Sequence, residues 1–322
     1  MKKIMFVQAI NEALREEMRR DERVFIMGED VQISPLGQTA GIVDEFGVER
    51  VRNTPISEIA IVGGATGAAS QGMRPVVDLM MAGFIFCGMD QLVNNTAKLR
   101  YMSGGQIRLP VVFRAVTGCL GSAGPQHSAS PHAMLMQVPG LKIVLPSNPY
   151  DAKGLLKSAI RDDDPVIFFE HSQLGTSSSE VPEEDYTVPI GIAEVKRQGN
   201  DVTIVANGLM VPRSLSAAQK MESEGISVEV VDLRTLVPLD KDTILKSLEK
   251  TGRLIVVDEG HMTCGLTAEV AGIAAEEGYD FLRKPVKRIG MPDAPVGFSP
   301  AYENYLVPSE AKIIEAIKEL VL

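Results

Sequence analysis

Two stretches carry residue types suited to chemistry. In "NTPISEIAIVGGATGAASQG" (residues 53–72) one carboxylate, Glu58, stands at the mouth of a run without charge from Ile59 to Ala69. A helix of that composition is expected to be buried, and burying a carboxylate at its start is costly unless something needs it. Glu58 is therefore a candidate for hydrogen-bonding a nitrogen base in a closed site and exchanging a proton with it. A plainer reading stands beside it: Ser57 caps the helix, and Glu58 complements its dipole by up to ~1 kcal/mol. In "TGCLGSAGPQHSASPH" (residues 117–132) His127 lies on a glycine- and serine-rich loop directly after the apolar run "LPVVFRAV". Ligands of open parallel sheets bind at the carboxyl ends of strands, so a histidine there is placed for proton relay or oxyanion donation. The alternative is a loop histidine that satisfies nearby backbone groups.

Other arrangements fail on spacing. Neither phosphate-cradling pattern, G-x-x-x-x-G-K-[ST] or G-x-G-x-x-G, occurs in the glycine-rich run, and the G-x-S-x-G of hydrolases is absent. The small residues there instead allow close helix packing, internally or across a subunit interface. His127 and His132 are five apart with Pro131 between them, and His261 with Cys264 makes only two ligands, so neither is a metal site. "SAIRDDDPV" from Ser158 ends a helix with three aspartates, either an oxygen-rich pocket for a hard cation or a solvated turn.

The elements that must position these residues follow from apolar runs. "RVFIMGED", "RPVVDLM", "LPVVFRAV", "LKIVLPS" and "DPVIFFE" read as buried strands, separated by helical patterns such as 7–20 and the capped "NPYDAKGLLKSAI". That alternation predicts an α/β fold with a mainly parallel sheet covered by helices. The rhythm breaks in the Ser-, Pro- and Glu-rich segment 171–191, read as a linker. It resumes with "DVTIVANG", "ISVEVVDLR", "GRLIVVDEG" and "PVKRIGM". Two α/β domains are expected, 1–180 and 191–322, with the linker ending over 181–190. The 322 residues suffice for two cores. A net charge of −10 argues against nucleic acid or an anionic membrane as partner. Three dispersed cysteines suit a reducing compartment. No run approaches a membrane span and the N-terminus turns polar too soon for a signal peptide, so the cytoplasm is expected.

Taken together, "GED", "NTPISEIAIVGGATGAASQGMRPVVDLM", "DQLVNNTAKLRYMSGGQ", "GPQHS" and "PSNPYDAKGLLKSAIRDDDPVIFFE" resemble the beta subunits of 2-oxo acid dehydrogenases. These belong to the thiamine-diphosphate-dependent, decarboxylating component of pyruvate, branched-chain 2-oxo acid and acetoin dehydrogenase complexes. The resemblance implies a transketolase-like pyrimidine-binding domain followed by a transketolase C-terminal-like domain. It implies that Glu58 hydrogen-bonds the cofactor's aminopyrimidine, and that Met80 and Phe84 form apolar walls around that ring. His127 matches the active-site histidine that supports acyl transfer to a lipoyl group. A potassium ion is implied at Val111, Ala159, Ile160, Asp162 and Asp164. The magnesium-binding Gly-Asp-Gly motif of such enzymes has no counterpart, since Gly-Asp occurs nowhere in the chain. An alpha subunit is therefore implied to hold the magnesium and diphosphate, in an α2β2 assembly that passes its product to a dihydrolipoyl acyltransferase. Cys87 stands where relatives often carry a polar or acidic residue, a departure for which Asp90 would compensate. Pyruvate is the substrate expected first. Acetoin is the alternative, and a non-catalytic scaffold subunit is the alternative of another class.

Overall fold

A computed structural model describes all 322 residues. Its strands are β1 (Lys2–Met5), β2 (Val24–Gly28), β3 (Val51–Asn53), β4 (Arg74–Met81), β5 (Val112–Thr117), β6 (Lys142–Val144), β7 (Val166–His171) and β8 (Ser178–Val181), then β9 (Glu194–Arg197), β10 (Val202–Ala206), β11 (Val228–Asp232), β12 (Thr235–Val237), β13 (Leu254–His261) and β14 (Lys287–Met291). The first large sheet has the order β12-β6-β7-β5-β4-β2-β3 and the second β14-β13-β10-β11-β9. Apart from the edge strands β12 and β9, which run antiparallel, both sheets are parallel. Strands such as β7 and β10 are buried along their whole length. Continuous Val, Ile and Phe runs have that consequence: both faces are covered by helices, so no polar alternation is needed.

Helix Pro149–Arg161 begins as its sequence predicts. The Asn148 side chain accepts from the Asp151 backbone N–H at 3.0 Å, a cap worth about 1 kcal/mol, and Pro149 occupies the first turn. It packs against helix Phe6–Arg20, and its buried Lys153 and Lys157 share Glu16, at 2.6 and 2.7 Å, and pair besides with Glu12 and Asp185 respectively.

Segment 171–191 is not a loose connector. His171 closes β7 and is buried, and β8 pairs antiparallel with β1. Tyr186 then stacks on Tyr150 at 4.7 Å and donates its hydroxyl to the Tyr150 carbonyl, and Val188 is buried. The apolar side chains scattered among the serines and glutamates are few, but enough to strap the segment along the first domain. A second departure is that β12, from beyond the expected linker, completes the first sheet beside β6. The two domains are therefore joined by sheet hydrogen bonds as well as by the chain.

Candidate active site

Three loops meet at the carboxyl edge of the first sheet. Helix Glu58–Ser70 follows β3, the 3-10 turn Ala82–Gly88 follows β4, and the loop bearing His127 follows β5. Two glycines let them touch. A Cβ at Gly88 would lie 3.1 Å from the Glu58 carbonyl oxygen and 2.9 Å from Val62 Cγ2, and one at Gly83 would lie 2.5 Å from the Gln126 carbonyl oxygen. The turn carrying Phe84 is thus wedged between the start of the Glu58 helix and the His127 loop. Phe84 and His127 meet edge to face, with ring centroids 5.4 Å apart. Met80 lies on the same edge in a left-handed conformation (φ +57°), where the β4–β5 register shifts between Asp78 and Met81. A non-glycine residue held there stores about 1–3 kcal/mol of strain, which the surroundings must offset.

They do so through a buried polar network. The Met80 N–H donates to Asp78 Oδ1 at 2.9 Å. The Arg114 guanidinium donates to Asp78 Oδ2 at 3.4 Å and to Glu170 Oε1 at 2.6–2.7 Å, and Gln38 donates to Glu170 Oε2. Arg114 and Glu170 are 2% and 3% exposed, so neither can turn to water. Burial, reinforced by Asp78, raises the Glu170 carboxyl above the ordinary range, while Arg114 opposes the shift. None of these residues was a sequence candidate. Their signal was an acidic residue near the carboxyl end of an apolar strand, as in "VVDLM" and "VIFFE".

The candidates differ from their surroundings in being uncommitted. The Glu58 side chain makes no hydrogen bond or ion pair within the chain, and Ser57 supplies no side-chain cap, so the cap half of the plainer reading fails while the dipole half stands. His132, His171 and His261 each bond a protein oxygen through a ring nitrogen, whereas neither His127 ring nitrogen does. The expectation that Glu58 and its helix are buried needs correction for the chain alone. Glu58 is half-buried, and the helix buries Ile61, Val62, Ala65, Thr66 and Ala69 but leaves Ile59, Ala60, Gly64 and Gly67 exposed. That open face carries no charge, yet this chain does not cover it. A free carboxylate at a helix start packed on the turn of the partly buried Phe84, with partly buried Met80 at the same sheet edge, suits one edge and the flank of a flat nitrogen heterocycle.

The oxygens expected to hold a cation have partners already. Arg74 donates to the carbonyls of Ile160 and Asp162, both at 2.9 Å, and Val111 accepts from the Val166 N–H. Lys142 pairs with Asp162 and Asp164, and Arg100 with Asp164. These residues do not form an empty oxygen cage, so the structure gives that expectation no support and no chemistry is assigned to an ion there. Cys87 is exposed, and Asp90 accepts from Gln91 and Asn94.

A cavity of about 1230 Å³ opens between the domains, touching Pro125 and Ser128, Leu236 of β12, and Leu266 and Val296. Glu58, Met80, Phe84 and His127 do not line it. The converging loops are the candidate site because they carry Glu58 and the one histidine whose ring nitrogens have no partner, although Glu269 on the cavity wall is also unpaired. Beside the cavity, His132 Nε2 lies 2.9 Å from Asp258 Oδ2, and both are buried. Burial opposes each charge. Even so, the pairing raises the His132 imidazole above its ordinary value and, with Asn207, lowers Asp258. The His132 contribution to stability is full below its ordinary value and fades as pH rises through the raised one. That of Asp258 is full above the ordinary carboxylate range and fades as pH falls through the lowered one. The melting-temperature gap between the native chain and His132→Gln should therefore peak between those limits, in a scan from about pH 4 to about pH 9. A gap that ignores pH would mean that the pair is not charged.

Residues 2–177 match the family described as transketolase, pyrimidine binding domain, and residues 191–313 match transketolase, C-terminal domain. The beta subunit of acetoin:2,6-dichlorophenolindophenol oxidoreductase from Bacillus subtilis is 46% identical, covering 98% of this chain and 97% of its own. The 2-oxoisovalerate dehydrogenase beta subunit of the same organism is 44% identical, over 99% of both chains. Its pyruvate dehydrogenase E1 component beta subunit is also 44% identical, over 99% of this chain and 99% of its own. The chain belongs to the 2-oxo acid and acetoin dehydrogenase beta-subunit family. A solved split-gene transketolase, described as an inactive beta4 tetramer, superposes with a TM-score of 0.81 at 24% identity over 99% of this chain and 98% of that one, which shows the shared fold. Glu58, Met80, Phe84 and His127 all fall within the residues matched to the pyrimidine-binding domain. No helix is long and apolar enough to cross a membrane.

Proposed function

We propose that this chain is the beta subunit of a thiamine-diphosphate-dependent 2-oxo acid dehydrogenase in the cytoplasm, with pyruvate as the first substrate to test. The carrying observation is that Glu58 and His127 are left without partners where the Glu58 helix and the His127 loop both pack on the turn that carries Phe84. When bound, thiamine diphosphate would supply the nucleophilic carbon that cleaves a 2-oxo acid. Glu58 would hold a proton at a ring nitrogen of its aminopyrimidine. Met80 and Phe84 would fix the plane of that ring and exclude water from it, which strengthens the Glu58 hydrogen bond. His127 would donate to oxygen on the substrate side and support acyl transfer to the lipoyl group of a dihydrolipoyl acyltransferase.

The diphosphate end needs a second chain. Gly-Asp is absent from this sequence, and the uncharged face of the Glu58 helix is open, with Ile56 and Ile59 exposed by 73% and 59%. An alpha subunit seated there, in an α2β2 assembly, would bury Glu58 and bring magnesium to the diphosphate. The 46% identity to an acetoin oxidoreductase beta subunit keeps acetoin as the second reading.

Native mass and bound-cofactor analysis of the chain, affinity-purified from its own cell extract, tests both. The expected result is a second chain in equal copy number with thiamine diphosphate, followed by turnover of a 2-oxo acid in preference to acetoin. A stable, cofactor-free assembly of this chain alone would leave only the scaffold reading standing.

A further inference from the structure

The loop that carries His127 belongs to the first domain but is gripped by the second. The Cys119 N–H donates to Glu259 Oε1 at 2.7 Å, and the other Glu259 oxygen lies 2.8 Å from His171 Nε2. The N–H groups of Gly121 and Ser122 donate to the two oxygens of Glu303, at 3.1 and 2.6 Å. Glu259 lies near the end of β13 and Glu303 lies in helix Pro300–Leu306, so these bonds span 140, 182 and 181 residues of chain. Glu259 and Glu303 are 3% and 6% exposed. The Phe298 ring covers Gly124 so closely that a Cβ there would meet it at 2.4 Å. On the first-domain side, Ser172 and Gln173 donate to the Cys119 carbonyl, and Thr117 Oγ1 donates to Ala129, closing the base of the loop.

A loop needs such anchors when its own sequence cannot hold a shape. Gly118, Gly121, Ser122 and Gly124 all have left-handed φ values, between +65° and +83°. That series turns successive N–H groups outward, where a carboxylate can take them. Hydrogen bonds to a charged acceptor are the strong ones, and here they are buried. We propose that Glu259 and Glu303 of the second domain are positioning residues for His127, holding the 118–131 backbone so that its ring stays against Phe84 with both nitrogens free. This gives the second domain a part in the reaction although it contributes no group to the converging loops. The inference rests on the proposed role of His127, and its test separates the two.

The test uses the assembled, cofactor-loaded complex with Glu303→Ala, Glu303→Gln, Phe298→Ala and His127→Ala. Hydrogen–deuterium exchange of residues 118–131 reads the grip itself, and single-turnover acyl transfer to a lipoyl domain reads its consequence. Glu303→Ala should speed exchange in that segment about tenfold while the sheet strands keep their protection. It should slow acyl transfer about 10- to 100-fold with substrate KM within about twofold, the signature of a displaced group rather than a lost binding site. Glu303→Gln, which keeps an acceptor oxygen, should recover part of both. Phe298 is 71% exposed, so Phe298→Ala loosens the loop without hollowing a core and guards against a Glu303 variant that fails to fold. His127→Ala should slow transfer and leave exchange unchanged. Unchanged exchange in both Glu303→Ala and Phe298→Ala overturns the grip. Faster exchange with undiminished transfer, while His127→Ala is slow, overturns positioning. Undiminished transfer in His127→Ala overturns the role of His127 instead, and the exchange data still decide whether the second domain holds the loop.

Discussion

Glu58→Ala should lower turnover of the reconstituted enzyme by about three orders of magnitude, within the range for loss of a positioned acid or base. The same substitution should barely change stability. Glu58 has no hydrogen-bond or ion-pair partner in the chain and is only half-buried, so folding loses at most its favourable interaction with the helix dipole, about 0.3–1 kcal/mol. A thousandfold in rate corresponds to about 4 kcal/mol. The two readings of Glu58 therefore predict effects of different size in different observables. If Glu58 only supports the helix, the melting temperature falls slightly and turnover stays within a few-fold. If Glu58 holds a proton for the cofactor, turnover collapses and the melting temperature holds. Glu58→Gln sharpens the contrast, because an amide fills the same space but cannot exchange that proton. Steady-state rates of the reconstituted enzyme and thermal melts of the chain alone decide it, and an Ala variant within tenfold of native turnover would end the cofactor argument.

The second large effect is on stability. Arg114→Met removes the cation from a site where Glu170 and Asp78 have no other, at 2% exposure for Arg114 itself. Breaking a buried pair from one side typically costs about 3–5 kcal/mol, because the remaining charge is stranded. Glu170, already raised by burial, would then take up a proton and relieve part of that cost. The double variant Arg114→Met, Glu170→Gln should accordingly be more stable than Arg114→Met alone. Asp78 also accepts the N–H of the strained Met80, so the ring wall should loosen and thiamine diphosphate bind more weakly. Urea unfolding of all three variants with cofactor titration checks this. A loss below about 1 kcal/mol in Arg114→Met would show that the network does not hold the strand.

Local sequence carried much of this protein. Runs such as "LPVVFRAV" and "DPVIFFE" are apolar throughout because both faces of a parallel strand are covered, and that is visible without any partner strand. Asn148 and Pro149 mark a helix start because a cap is a contact between neighbours. Glu58 and His127 could be nominated because a carboxylate before an uncharged helix and a histidine on a post-strand loop are departures from local composition.

Tertiary structure decided what depends on long-range contact. Segment 171–191 looks structureless from its serines and glutamates, yet β8 finds β1 at the far end of the domain, and no local period announces such a pairing. Strand β12 joins the first sheet although it lies beyond the linker, for the same reason. The helix after Glu58 reads as buried from composition. Which of its faces this chain covers depends on where the Ala82–Gly88 turn packs. The support of the site was hidden most fully. Asp78, Arg114 and Glu170 come from three strands, while Glu259 and Glu303 reach the His127 loop from the other domain. Residue types and their neighbours determined which elements form and which side chains could react. Only the fold decided which of those side chains are left free and what holds them there, because hydrogen-bond partners are chosen in space and not along the chain.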